Sequence, residues 1–187
     1  TEQLVAMETQ DLVAIKTQQL VGLGTSVVAA LTTGQLQSLK TQQIAALNSK
    51  QLAALTTDQI VALTTAQASN LTTAQIAQLS NDQLLAIETD DLAALKTAQL
   101  AALATNQIAL LSTDQIVALA TAQVASLSTR QLQALRSEQI AAMETRDLAA
   151  LKTAQLAGLG TANLNALSAD QVQALTTVQL NALSSAQ

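Results

Sequence analysis

The chain has 187 residues, 49% of them hydrophobic and 11% charged, with no aromatic residue, His, Cys or Pro. Without an imidazole or a thiol there is no Ser-His-Asp triad, thiol nucleophile or zinc, copper or haem centre, so no cofactor or metal is expected and an enzyme is the least favoured class. A net charge of −5, scattered Lys and Arg, and no ring to stack on a base argue against nucleic acid, and apolar runs as short as Leu100 to Ala104 argue against membrane insertion.

From Thr1 the sequence falls into 23 octads without insertion or deletion, followed by Ser185, Ala186 and Gln187. The expectation is one array over residues 1–187, cut from a longer chain because it opens on Thr1 with no signal segment. The consensus is Thr, variable, Gln, Leu or Ile, small, Ala, Leu, variable. Thr holds position 1 in 19 octads and Gln holds position 3 in 18. Positions 4 and 7 are aliphatic nearly throughout and form the candidate core.

Spacing chooses among three architectures. In one long helix eight residues advance about 800°, so the apolar pair drifts by roughly 80° per octad and makes no stripe. On a strand, positions 4 and 7 point to opposite faces, and Ala, Leu and Gln are poor strand formers. A separate short helix in every octad places positions 3, 4 and 7 on one side. The expected fold is therefore all-α, a solenoid of short helices stacked around an aliphatic core, with two or three octads per coil both open. Thr, Ser or Asn at position 1 reads as the N-cap, positions 2 to 7 as the helix and position 8 as the link. A helix this short has no stability alone, so stacking must supply it.

In chain order, the first irregular feature is Glu8, Asp11 and Lys16, which returns as Glu88, Asp91 and Lys96 and again as Glu144, Asp147 and Lys152. One reading is a site of two carboxylates and an ammonium, a calcium site or an acid/base pair. The favoured one is a duplicated unit whose charges form ordinary solvated pairs. Val27 replaces the position 3 Gln, and Ala68 is the lone departure from Leu, Ile or Val at position 4. Asn70, Gln78 and Leu110 replace the small residue at position 6 and are expected to mark bulges. The divergent run from Ala68 to Gln78 is the best candidate for a binding patch. Three octads carry the consensus most clearly: Thr57, Gln59, Ile60 and Leu63; Thr97, Gln99, Leu100 and Leu103; and Thr113, Gln115, Ile116 and Leu119. In each, Thr is the expected cap, the aliphatic pair the core, and Gln a carboxamide that bonds corner backbone of a neighbouring octad or coil.

TTDQIVAL, residues 56–63, and STDQIVAL, residues 112–119, resemble the octapeptide arrays of large secreted or surface-anchored bacterial repeat proteins, adhesin-like and hemolysin-type calcium-binding polypeptides among them. The resemblance covers essentially the whole chain and implies an extracellular spacer or stalk, secreted or on the cell surface. The Gly-Asp nonapeptides that bind calcium in that class are absent. The same strings are similar to the first helix of transcription activator-like effector repeats, whose second helix and base-reading loop are missing here. The alternatives are a solenoid binding module for a protein, peptide or glycan and, more remotely, an ice-binding Thr array. Ends without polar capping repeats are expected to associate end to end.

Overall fold

The computed structural model describes residues 7–187, which form 22 α-helices of four to six residues, one per octad, with no strand among the described residues. The chain divides into two compact units, Thr1–Leu95 and Lys96–Gln187. Each is a solenoid of these short helices.

The helices start one residue earlier than the sequence suggested. Thr57 is the first helical residue of Thr57–Val61, and the N-cap is Thr56 at position 8 of the octad before, its Oγ1 accepting from the Gln59 N–H at 3.2 Å. Thr97 and Thr113 likewise open the helices Thr97–Ala101 and Thr113–Ala118, behind the caps Lys96 and Ser112. Position 8 is thus the cap rather than a link. The corner consists of positions 7 and 8 in extended conformation, as at Leu119 (φ −62°, ψ 133°) and Ala120 (φ −67°, ψ 148°). No described residue has positive φ, so the chain turns without a glycine-specific backbone.

Inside each unit every helix packs on the one three octads away: Thr9–Ala14 on Thr33–Ser38 and Thr65–Ala68 on Thr89–Ala94 in the first, Thr105–Leu110 on Thr129–Ala134 and Thr121–Ser126 on Thr145–Ala150 in the second. Hydrogen bonds reach back four octads, as from Gln83 to Leu52 and Leu55, 31 and 28 residues earlier. A coil therefore holds between three and four octads, and the two-octad coil is excluded.

The core is the position 4 and position 7 row. Ile60, Leu63, Leu100, Leu103, Ile116 and Leu119 are all buried. Burying two such side chains per octad, at roughly 1.5–3 kcal/mol each, is what lets five-residue helices persist. The expected bulges are absent. Asn70 and Gln78 are exposed on the outside and Leu110 is half-buried, while the 28- and 31-residue spacing continues at Gln75, Gln83 and Gln139. Position 6 faces outward enough to take a larger side chain.

Candidate functional site

The repeated chemical feature is a ladder of buried glutamines. Among the described residues, each Gln at position 3 of a helix is its third residue, where its Oε1 accepts from the N-cap backbone N–H and closes a capping box. Gln59 accepts from the Thr56 N–H at 2.8 Å, Gln99 from Lys96 at 2.6 Å and Gln115 from Ser112 at 3.1 Å. Where position 8 is Thr, Ser or Asn the reciprocal bond is made as well, as from the Gln115 N–H to Ser112 Oγ at 3.1 Å. Where it is Lys or Ala, only the glutamine half can form, because neither side chain accepts a hydrogen bond.

The other end of the carboxamide ties coils together. Gln59 Nε2 donates to the carbonyls of Leu31, Ala29 and Val28 at 2.7, 3.2 and 3.3 Å. Gln139 Nε2, fully buried, donates to Leu111 at 2.7 Å and Ile108 at 3.1 Å. They lie at helix C-terminal ends, where carbonyls run out of intrahelical partners; the Val28 and Ile108 carbonyls also accept from the Leu31 and Leu111 N–H groups. One side chain thus satisfies an N-terminus in its own octad and a C-terminus in the coil below, with both amide hydrogens and the oxygen in use.

Three kinds of residue interrupt the ladder. Asn163 is one methylene shorter than Gln. Its Nδ2 still reaches the Leu135 carbonyl at 3.1 Å, 28 residues back, and its Oδ1 accepts from Ser137 Oγ at 3.1 Å, 26 residues back. Val27 is half-buried and offers no donor. Asp91 and Asp147 are 4% and 0% exposed. They are therefore not members of solvated ion pairs, and the favoured sequence reading is corrected: the helix three octads earlier covers each carboxyl, whereas Lys96 and Lys152 remain exposed. Asp11, at the same position of its octad, is exposed.

Thr121 Oγ1 donates to Asp147 Oδ1 at 2.6 Å, and Thr65 donates in the same way to Asp91. Burial pushes the Asp91 carboxyl above its ordinary 3.8, with Asp90 adding to the effect and the Thr65 hydroxyl opposing it. Burial also raises Asp147; the Thr121 hydroxyl opposes this, Glu144 reinforces it, and Arg146 and the Glu144 N–H oppose it. Arg146 pairs with Glu144 and lies 4.0 Å from Asp147 Oδ1. Asp147 Oδ2 is buried with no hydrogen-bond partner.

The sequence reading placed neither the caps nor this burial. The caps were findable, since Thr or Ser followed three residues later by Gln is the capping-box pattern, and only a cap at position 8 gives it. The Ala68 to Gln78 run does not form one patch. Ala68 is internal and leaves a cavity of about 10 Å³ walled by Ile60, Leu63, Leu79 and Asp91, while Asn70 and Gln78 face solvent. One more open concavity, about 420 Å³, is lined by Gly158, Gly160, Arg136 and Asn163. Among the described residues no three His, Cys, Asp or Glu side chains are grouped to hold a metal ion. No helix among them is long and apolar enough to cross a membrane.

Comparison with known proteins matches residues 4–41, 28–65, 84–121, 116–145 and 140–177 to the family described as the ALTTAQ repeat. A search of curated proteins finds no match.

Proposed function

The chain belongs to the ALTTAQ repeat family, and from that premise we propose that it is a non-catalytic spacer, a stalk in a large secreted or surface-attached bacterial protein. The observation that carries this reading is the uniformity of the ladder. An octad with Gln at position 3, the residue in 18 of 23, supplies one donor group to the coil below and carbonyls to the coil above, so an array lengthens by repetition without new chemistry. A side-chain pattern devoted to joining coils leaves no convergent group of reactive residues.

The test has two parts. Protease added to intact cells of the bacterium that makes the protein is expected to cleave the repeat region; complete protection would remove the extracellular assignment. Purified chain, screened by thermal shift against glycans and peptides, is expected to keep its melting temperature, whereas a saturable rise would favour a binding module instead.

A narrower reading concerns self-association. Val172 and Leu180, at position 4, are 43% and 42% exposed, although the rest of that row is buried among the described residues, and the coil face they belong to is the one a further octad covers within each unit. A second copy continuing the stack would bury them. Light scattering is expected to show mass rising with concentration, and a constant monomer mass would overturn this.

A further inference from the structure

We propose that Asp147 is a proton-operated rung of the ladder, which joins its coil to the one below when the carboxyl is protonated and leaves that link open when it is ionised. At the rungs around it the position 3 side chain donates to the position 7 carbonyl 28 residues earlier, as Gln139 does to Leu111, Gln155 to Leu127 and Gln171 to Met143. For Asp147 that carbonyl belongs to Leu119. An ionised carboxylate has no hydrogen to donate, and Oδ2 is accordingly buried and unpartnered.

Asn163 shows that a side chain of this length can complete the rung. Its oxygen takes the hydroxyl 26 residues back while its nitrogen donates to the carbonyl 28 residues back. Asp147 already makes the first of these bonds, with Thr121. One proton taken from water onto Oδ2 supplies the second donor, aimed at the Leu119 carbonyl, and removes a buried charge. No other atom is gained or lost.

The charged surroundings permit this. On its own helix Asp147 faces Glu144, which favours protonation, and Arg146, which opposes it but is already paired with Glu144. The helix below, Thr121–Ser126, has no ionisable side chain. The helix above, Ala169–Gln173, has only Asp170, and the turn that leads to Leu119 has only Asp114; both are exposed. Burial holds the carboxyl above its ordinary value.

The experiment is a melting-temperature profile against pH for the full chain and for Asp147→Asn, with a carbon-13 titration of the Asp147 carboxyl in the unaltered protein. Asp147→Asn is expected to melt about 2–4 °C higher than the parent at pH 7, to lose part of the parent's rise on acidification, and to match it near pH 4. The carboxyl resonance is expected to titrate above 3.8. A variant that melts lower at pH 7 or keeps the parent's full pH slope would overturn the proposal. If the variant does not fold, the carboxyl titration decides alone: a value at or below 3.8 refutes it.

Discussion

Asp91 and Asp147 occupy the same place in the repeat, under the same kind of Thr hydroxyl, but over different floors. Beneath Asp147 the position 4 residue is Val124, itself buried. Beneath Asp91 it is Ala68, and a cavity of about 10 Å³ remains, with the Asp91 carboxyl on its wall. Their flanks differ as well: Glu144 is half-buried and paired with Arg146, while Glu88 is exposed and Asp90 stands where Arg146 does. A broken rung is therefore tolerated over either a Val or an Ala floor. What both places share is the Thr hydroxyl 26 residues earlier, which donates to the carboxylate.

The strongest way to break the comparison is to make a third broken rung where none exists. Gln139→Asp places a carboxylate over Thr113 and removes the side-chain donor from the Leu111 carbonyl, and from the Ile108 carbonyl, which keeps the Leu111 N–H. It is expected to cost about 3 kcal/mol at pH 7, read by chemical denaturation, and a cost under about 1 kcal/mol would show that a hydroxyl below suffices. Next in size, Val124→Ala gives Asp147 the floor that Asp91 has and is expected to destabilise by about 2 kcal/mol, whereas Ala68→Leu is expected to gain about 1 kcal/mol by filling the space. Equal and negligible effects would mean that the coils close over such gaps.

Protonation sharpens the same pair. The folded carboxyls lie above 3.8, so the stability linked to them is fully present below that pH and is lost as pH rises through the folded value. The parent protein should accordingly melt higher in mild acid than at neutrality. The double variant Asp91→Asn, Asp147→Asn should show a flatter profile. The smallest predicted effect separates the caps: Thr56→Ala is expected to cost about 1 kcal/mol and Thr57→Ala a few tenths at most, roughly the surface value, by the same denaturation assay.

Much of this was legible before any coordinates. The aliphatic pair three residues apart in an eight-residue period admits one helix per octad and little else, and Ile60, Leu63, Ile116 and Leu119 lie inside as that argument requires. The cap was misplaced by one residue because Thr at position 1 satisfies the composition rule, while the true cap position also holds Lys, Glu, Gly and Ala. At those octads the third helical N–H donates to the cap's own backbone carbonyl instead of to a hydroxyl, as from Gln99 to Lys96 at 2.9 Å and from Val27 to Gly24 at 3.0 Å, so the position tolerates variety. Burial of Asp91 and Asp147 was hidden for another reason. Whether a residue is covered depends on which octad lies beneath it, and that 26-residue correspondence is a property of the coil, invisible in the linear pattern.

The corners have one more consequence. Since each is an ordinary extended dipeptide with no left-handed residue, every repeat can follow every other, and a slip of the copying machinery that adds or deletes one repeat's worth of nucleotides delivers a chain whose amides and carbonyls still find counterparts. Length in this architecture is thus a freely heritable variable, adjustable across generations without passing through a misfolded ancestor.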